Sequence, residues 1–409
     1  MTIYFDNAAT SFPKAPGVAD AMSHFIALEA ANPGRSGHRM AVAAEQLLDE
    51  ARLKLSRFFD GDDPQRLIFS MNCTDALNMA IKGVVPNQTA NGNTPHVITT
   101  VLEHNSVSRP IQALHLNDQI ELTRADCDDD GFVDPDDIRK AITPDTVLIV
   151  MTHASNVLGT IQDVTAIGRI AREHDLLFCL DAAQTAGAVP ISINDMCIDL
   201  LAFPGHKSLL GPTGTGGLYV GPRCPDPVES VAVTAEGKQT IRMASYVKMR
   251  PWREGGTGGD SSTPTQPPVY PYYLEGGTPN TVGIAGLTAA MDYFNDHAIN
   301  DILAHEQSTV EKIIARFSDD DRFTIYGTTD ASKRVGTVSL NIEGYAPADL
   351  SAILDDSFDI AVRPGLHCAP YTHRRINTFP DGALRISPGP FNTDEQVETL
   401  IDALDQIAG

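Results

Sequence analysis

The sequence is poor in basic residues. Its 409 residues include 30 Lys and Arg against 53 Asp and Glu, which gives a formal net charge of −23 at pH 7. Nucleic acids and anionic membrane surfaces are bound by basic faces, because their phosphates are negatively charged. The composition therefore argues against both as partners.

Cysteines and long apolar runs are also scarce. The six cysteines contain no C-x-x-C pair, which argues against a disulfide framework and a structural zinc site and favours mostly buried thiols. No apolar run reaches the ~18–20 residues that cross a bilayer. Residues 1–13 lack the basic cluster and apolar stretch of a signal peptide. We expect a cytoplasmic protein without a metal site.

Short runs of Val, Ile and Leu alternate with helix-like segments over the first two-thirds of the chain. Apolar runs without polar alternation are typical of strands buried on both faces, as in a parallel α/β sheet. The predicted strands are 67–69, 97–101, 147–151, 176–180, 200–203 and 217–220. Helices are predicted between them, at 41–59, 74–82 and 164–174.

The last third has a different pattern. Residues 250–279 are dense in Gly, Pro, Thr and Ser and predict a long irregular segment of the kind that is usually functional. Helices at 282–297, 299–317 and 394–407 and strands at 336–342 and 360–363 then predict a smaller α+β domain. We predict a large domain over 16–281 and a small domain formed by 1–15 and 282–409.

Polar clusters follow five of the predicted strands. In an open α/β sheet, ligands bind beyond the carboxyl ends of the strands. The clusters therefore predict one ligand site at one edge of the sheet. They are Asn72-Cys73-Thr74, Glu103-His104-Asn105, His153-Ala154-Ser155-Asn156, Asp181-Ala182-Ala183-Gln184 and Gly205-His206-Lys207.

These residue types suit pyridoxal phosphate. That cofactor needs a Lys for a Schiff base, and a carboxylate that keeps its pyridine nitrogen protonated. Lys207 and Asp181 follow neighbouring strands, His104 can lie flat on the ring, and Thr74 opens a helix that can hold the phosphate. Taken singly, the Lys reads as a solvated side chain, the Asp as a helix cap and the His as a loop residue.

The motifs together resemble the class V aminotransferase family, in particular its cysteine desulfurase and selenocysteine lyase branch. The resemblance covers nearly the whole chain. It rests on residues 4–10, 32–38, 69–78, 102–106, 153–159, 181–185, 205–214, 275–280, 363–370 and 384–387, which include Gly205-His206-Lys207 and Leu366-His367-Cys368-Ala369-Pro370. It implies an α/β fold of the aspartate-aminotransferase type (fold type I), with a smaller α+β C-terminal domain, and a homodimer.

The resemblance also implies roles for residues. The implied catalytic residues are Lys207, Asp181, His104 and Cys368, the last as the sulfur acceptor. Those implied to hold pyridoxal phosphate are Lys207, Asp181, Gln184, His104, Thr74, Cys73, Asn156, His206 and, from a second subunit, Thr278. Those implied to bind substrate are Arg385, Asn156, Arg363 and His38. Pro204 stands where relatives often have a hydroxyl residue, so one phosphate contact is expected to be missing.

The implied activity is conversion of L-cysteine to L-alanine, with its sulfur left on Cys368 as a persulfide and passed to an acceptor protein. Arg363 and His367 flank Cys368 and are expected to favour its thiolate. Selenocysteine lyase, aminotransferase and C–S β-lyase activities remain open alternatives within the same cofactor class. A non-catalytic scaffold is the alternative outside it.

An Asp-rich segment, 126–134, fits part of a calcium-loop pattern. Its position 12 is Asp137 instead of Glu, and the alternating residues 119–124 before it predict a strand where a calcium loop has a helix. We therefore interpret it as an Asp-Gly turn that leads into a helix at Pro135.

Overall fold

The computed structural model describes residues 2–34, 38–86, 89–90, 92–225, 228–233, 239–243, 249–258 and 264–409. Two stretches of predicted segments lie outside these residues. They are residues 35–37 of the motif at 32–38, and residues 259–263 of the irregular segment.

The helices and strands follow the predicted alternation. The helices are α1 (Val18–Leu28), α2 (Arg39–Phe58), α3 (Cys73–Val84), α4 (Asn105–Leu116), α5 (Pro135–Ala141), α6 (Val164–Glu173), α7 (Thr281–Asp296), α8 (Ile299–Phe317), α9 (Pro347–Phe358), α10 (Pro370–Arg375) and α11 (Asp394–Ala408). None of these described helices is both long and apolar enough to cross a bilayer.

The strands are β1 (Ile3–Tyr4), β2 (Leu67–Ser70), β3 (His96–Thr100), β4 (Glu121–Ala125), β5 (Thr146–Thr152), β6 (Leu177–Asp181), β7 (Leu200–Pro204), β8 (Gly216–Val220), β9 (Val228–Val233), β10 (Gln239–Met243), β11 (Phe323–Tyr326), β12 (Val338–Ile342), β13 (Ile360–Ala361), β14 (Arg363–Gly365) and β15 (Ala383–Ile386). The six apolar runs of the first two-thirds are confirmed as strands, and β4 confirms the alternating segment.

The central sheet has the strand order β2-β8-β7-β6-β5-β3-β4. The strands that carry the continuous apolar runs are buried on both faces, because helices cover the sheet on either side. The predicted parallel orientation is wrong for β8, which runs antiparallel to both β2 and β7. Only residues 205–215 join β7 to β8 and they contain no helix, whereas a parallel crossover needs a dozen or more residues.

A second, antiparallel sheet has the order β11-β12-β15-β14. Phe317, Phe323, Leu340, Leu384 and Leu400 belong to the apolar core between this sheet and its helices. The first residues of the chain join this part, since β1 pairs in parallel with β13 and Asp6 bridges to Ser387.

Helix α7 packs with the central sheet instead. Ile284, Leu287 and Met291 of α7 belong to the core of that sheet. The predicted domain division at residue 281 stays a prediction.

Arg334 joins the two parts of the molecule. Its side chain is fully buried and donates to the carbonyl oxygens of Tyr326, Thr328 and Leu158. Leu158 lies in the loop after β5, whereas Tyr326 ends β11 and Thr328 lies between β11 and β12. A buried guanidinium is tolerated when its N–H groups are all directed at acceptors, so the planar shape of Arg fits this position.

We expect Arg334→Lys to lower the free energy of unfolding by about 3 kcal/mol, because a lysine cannot reach acceptors on three sides and charged hydrogen bonds are each worth ~1.5–3 kcal/mol. Urea unfolding measures the difference. Lys333→Met is the matched control, since Lys333 is exposed and pairs only loosely with Asp330 at 3.8 Å. Equal stabilities of the two variants would contradict the joining role of Arg334.

Candidate active site

The carboxyl ends of the central strands surround an open cavity of about 250 Å³. The structure brings most of the predicted site residues to its wall, although they are far apart in sequence. Those that line it are Cys73, Thr74, His104, Asn156, Asp181, Gln184, His206, Lys207, Arg363, Cys368 and Arg385.

The N-terminus of α3 forms one wall. The side chain of Asn72 accepts a hydrogen bond from the backbone N–H of Asp75 and so caps the helix directly after β2. Backbone N–H groups of a first helical turn, together with the helix dipole, favour an anion. The hydroxyl of Thr74 lies in the same wall, 2.7 Å from the hydroxyl of Ser106. This corner of the cavity is therefore suited to a phosphate.

His104 begins α4 and is held as a neutral imidazole. Its Nδ1 accepts a hydrogen bond from the backbone N–H of Ser106 at 3.0 Å. Burial, together with the nearby charges of Lys207 and Arg385, lowers the pKa of His104 to about 4. An uncharged ring with Nδ1 occupied can pack flat against an aromatic ligand.

Asp181 ends β6 and is buried. Its Oδ1 accepts from the backbone N–H of Ala183 at 2.9 Å and from the Cys73 thiol at 3.4 Å. Within the described part of the chain no donor is bound to Oδ2, so one carboxylate oxygen is left for a ligand. Burial raises the pKa of Asp181, while the Ala183 hydrogen bond and the Lys207 charge oppose that rise.

Lys207 lies opposite Asp181 in the cavity. Burial lowers the pKa of the Lys207 ammonium from its ordinary value, and the Asp181 charge opposes this only in part. A lowered pKa increases the fraction of Lys207 that is a neutral, nucleophilic amine at neutral pH. The preceding residue, His206, contacts the hydroxyl of Thr10 through Nδ1 at 3.1 Å, which fixes its ring at the rim.

Arg385 is buried and two of its five N–H donors are engaged. Nη1 donates to the backbone oxygen of Asn156 at 3.1 Å, and Nη2 donates to Asp6 at 2.8 Å. Its Nε has no acceptor among the described residues. Because Nε is fully buried, the second N–H groups of Nη1 and Nη2 are the donors left for a carboxylate, which is the planar acceptor that a guanidinium binds best.

Cys368 lies in a tight loop at the mouth of the cavity, and it is exposed. His367 and Cys368 both have positive φ, 48° and 57°, so two successive non-glycine residues adopt the left-handed conformation. Two hydrogen bonds hold them there: Asn105 N–H donates to the Cys368 oxygen at 2.7 Å, and the Asn156 amide donates to the His367 oxygen at 2.7 Å.

The structure does not support the expected hydrogen bond from His367 to the Cys368 thiolate. The two ring nitrogens of His367 lie against the Arg363 carbonyl oxygen at 3.1 Å and His373 Nε2 at 3.3 Å. Burial lowers the pKa of His367 to about 3, so the ring is neutral. Its role is to brace the loop.

Two predicted site residues are not brought to this cavity within one chain. His38 is exposed and caps α2, where Nδ1 accepts from Ala41 N–H at 3.2 Å. Thr278 donates to Asn32 at 3.1 Å and lines a separate cavity with Arg52 and Glu275. The roles predicted for them stay predictions.

Two polar residues at the site were not predicted from the sequence. Ser106 links Thr74 to His104, and Asp6 binds Arg385. Ser106 follows His104 by two residues, so its proximity to the strand end was a usable signal. Asp6 belongs to the motif at 4–10, but an Asp near the N-terminus does not indicate which strands it will meet.

The Asp-rich segment forms the predicted turn into α5. Gly131 N–H donates to the Asp128 oxygen at 3.1 Å, and α5 begins at Pro135. Arg375 binds Asp126 at 3.0 Å and Asp129 at 2.9 Å, so a guanidinium partners two of its carboxylates. Over the residues that the structure describes, no group of three or more His, Cys, Asp or Glu side chains is arranged to hold a metal ion.

Comparison with known proteins agrees with this arrangement. The family model for aminotransferase class-V matches residues 3–400. Probable cysteine desulfurases of Methanothermobacter thermautotrophicus and Halobacterium salinarum are 32% and 30% identical to this chain, covering 100% and 99% of it and 95% and 91% of their own lengths. The apo structure of cysteine desulfurase from Thermococcus onnurineus NA1 matches with a TM-score of 0.83 at 29% identity, over 100% of this chain and 94% of its own.

Fold and site thus define a pyridoxal-phosphate-dependent enzyme of fold type I. The chain belongs to the class V aminotransferase family, as its motifs predicted. The predicted fold class is confirmed by the structural likeness.

Buried histidines predict how stability depends on pH. Burial lowers the pKa of several imidazoles: to about 4 for His104, His153, His206 and His373, and to about 3 for His367. In the unfolded chain they bind protons below about pH 6.5. The unfolded state therefore takes up more protons, and the stability that these neutral rings contribute is lost as pH falls below that value.

Three buried carboxyls act in the opposite direction. Burial raises the pKa of Asp181, of Glu306 to about 7 and of Glu103 to about 8. Five histidines outweigh them by roughly two protons, so we expect the free energy of unfolding of the cofactor-free protein to fall by about 3 kcal/mol from pH 6 to pH 5. Urea titrations at the two pH values measure it, and a gain in stability at pH 5 would contradict the burial of neutral imidazoles.

Proposed function

We propose that this chain is a pyridoxal-phosphate-dependent cysteine desulfurase, which converts L-cysteine to L-alanine and leaves the sulfur on Cys368. The observation that carries the proposal is the position of Cys368. Its loop is bound at the mouth of the cavity that contains Lys207, Asp181 and Arg385. The names of the relatives point to the same activity.

The cavity residues fit the cofactor. The first turn of α3, Thr74 and His206 would hold the phosphate, with Ser106 beside Thr74 as a further hydroxyl. Asp181 would accept from the pyridine N–H through its free oxygen, and the neutral ring of His104 would lie against the pyridine face. Pro204 also lines the cavity and offers no hydroxyl, in line with the contact that the sequence predicted to be missing.

Gln184 and Asn156 are the remaining amides at the wall, and we assign them to the ring-oxygen side. The Gln184 amide already donates to the Ala8 oxygen at 3.1 Å, which fixes its orientation. When bound, pyridoxal phosphate supplies an electron sink that makes the Cα proton of an amino acid removable. The protein groups then have to orient the substrate and move protons.

The residues divide these tasks. Arg385 would bind the substrate α-carboxylate, which leaves the side chain of L-cysteine directed at the cavity mouth. Lys207 Nζ, whose lowered pKa favours the neutral amine, would take up the Cα proton. The Cys368 thiolate would then attack the substrate sulfur, so that an S–S bond forms as the Cβ–S bond breaks. Lys207 would return the proton to Cα, and a second proton, equivalent to the one that the Cys368 thiol gave up on ionising, would go to Cβ. These two protons complete alanine, and the sulfur remains as a persulfide.

The location and assembly of the enzyme are proposals as well. Four of the six cysteines are buried, which suits a reducing cytoplasm. A homodimer is proposed because Thr278 lies outside the cavity of its own chain, so that it could contribute to a phosphate site only in a second subunit. The exposure of Cys368 would let a sulfur-acceptor protein reach the persulfide.

Substitution of Cys368 tests the activity. We expect Cys368→Ser to lose at least about 100-fold in sulfide release from L-cysteine with a reductant, because a serine hydroxyl is not a comparable sulfur nucleophile. The cofactor should stay bound, as its visible absorbance shows. Cys197→Ser is the matched control, because Cys197 is free and half-buried and also has positive φ, 54°, but is not a cavity residue.

Other outcomes of the same assay identify the alternatives. Sulfide release at the parental rate by Cys368→Ser, with pyruvate and ammonia as products, would establish a C–S β-lyase. Transfer of the amino group to a 2-oxo acid would establish an aminotransferase. Preference for L-selenocysteine over L-cysteine would establish a selenocysteine lyase.

The assignment of Lys207 has its own test. Borohydride reduction of the purified protein should fix the cofactor covalently to Lys207, since its amine is buried in the cavity opposite Asp181. Peptide mapping by mass spectrometry locates the label, and Lys207→Ala should carry none. A label on Lys14, which lies against the His206 carbonyl at 2.9 Å, would show the assignment to be wrong.

A further inference from the structure

We propose that Asp6 is a positioning residue for recognition of the substrate carboxylate: it fixes the orientation of Arg385 and separates that guanidinium from Arg363. The inference rests on the proposed function, in which Arg385 binds the α-carboxylate. Asp6 itself would not touch the substrate.

The two arginines are direct neighbours across two strands. Arg363 on β14 is paired in register with Arg385 on β15. Like charges placed directly opposite each other in an antiparallel pair destabilise it. The Arg363 side chain is 49% exposed and can turn to solvent, whereas that of Arg385 is 3% exposed and cannot. A buried guanidinium beside another one needs an anion.

Asp6 is that anion, and it contacts both guanidiniums. Its Oδ1 accepts from Arg385 Nη2 at 2.8 Å, and its Oδ2 accepts from Arg363 Nε at 2.8 Å. The Asp6 side chain is 11% exposed, so solvent weakens these charge-assisted bonds little. The Asp6 backbone is fixed as well, since its oxygen accepts from Ala9 N–H at 3.1 Å and Asp6 bridges to Ser387.

The geometry leaves Arg385 prepared for a second carboxylate. Asp6 takes one N–H of Nη2 and the Asn156 oxygen takes one of Nη1, so three of the five donors remain. With one carboxylate between two guanidiniums, the cluster keeps a net charge of about +1, which a substrate carboxylate would neutralise. Without Asp6, Arg385 would lose one of the two contacts that set its plane.

The same contacts lead to the Cys368 loop. Arg385 holds the Asn156 oxygen, and the Asn156 amide holds the His367 oxygen next to Cys368. A change in the plane of Arg385 should therefore affect carboxylate binding first and the Cys368 loop only through Asn156. This predicts a larger effect on KM than on kcat.

The test compares two ligands that differ only in a carboxylate, L-alanine and ethylamine. Their binding to the cofactor-loaded protein is read from the absorbance of the bound cofactor. In Asp6→Asn we expect the Kd of L-alanine to rise at least about tenfold, because one charge-assisted hydrogen bond is lost. The Kd of ethylamine, which has no carboxylate, should change less than about twofold. The KM for L-cysteine should rise by a similar factor. The accompanying change in kcat should be smaller than this factor.

Asp359→Asn is the matched control. Asp359 precedes β13, is exposed and has positive φ, 55°, which Asn tolerates, and it binds Thr2. It should match the parent protein with both ligands. Asp6→Glu, which keeps the carboxylate, should recover part of the L-alanine affinity, and it is the variant measured if Asp6→Asn does not fold.

An L-alanine affinity of Asp6→Asn within about twofold of the parent, or a gain, would overturn the proposal. An equal loss of L-alanine and ethylamine binding would also overturn it, since that outcome indicates a purely structural role. If the parent protein releases no sulfur from L-cysteine, the proposed function fails, but the comparison of the two ligands still decides the role of Asp6.

Discussion

The site depends on two hydrogen bonds to backbone oxygens, those of His367 and Cys368. Asn105 N–H and the Asn156 amide hold this loop of the second sheet against the strand ends of the first. Each bond joins residues more than 200 positions apart in sequence. Two successive residues with positive φ keep that conformation only when their surroundings hold them. Without the two bonds, the loop at the opening of the cavity would therefore not hold Cys368 in a fixed position.

Burial without charge is the common electrostatic feature of the site. The imidazoles of His104, His206 and His367 are kept neutral by desolvation, so the positive charge in the cavity is left to Lys207 and the arginines. Neutral rings can pack on an aromatic ligand or brace a loop without repelling those cations. Of the anionic groups, Asp181 lines the same cavity as Lys207, and Asp6 binds both Arg363 and Arg385.

Much of this was predictable from the sequence. Continuous apolar runs identified the strands of the central sheet because burial on both faces permits no polar alternation, and polar clusters after those runs identified the edge that binds the ligand. The direction of each strand was harder to predict from the sequence. β8 is antiparallel because the connection before it is short, and an apolar run contains no information on strand direction. The resemblance to a family supplied what residue patterns could not, above all Cys368 and Arg385.

The remaining gaps have a shared physical cause. In both cases the path of the folded chain selects the partners: the loop turns the ring of His367 toward Arg363 and His373, and the carboxylate of Asp6 meets two arginines that lie far along the sequence. Adjacency in sequence suggested that His367 would serve Cys368. In the fold, the turn that exposes the cysteine directs the neighbouring ring the other way.

The burial of Arg334 affects how the contact between the two parts of the molecule depends on salt. Its charge is stabilised by carbonyl dipoles in the interior and not by a carboxylate at the surface. Ions in solution screen exposed pairs such as Arg316 and Asp405 but do not reach dipoles that are buried with their charge. The contribution of Arg334 to the connection between the two parts of this acidic chain is therefore largely independent of ionic strength, from dilute buffer to brine.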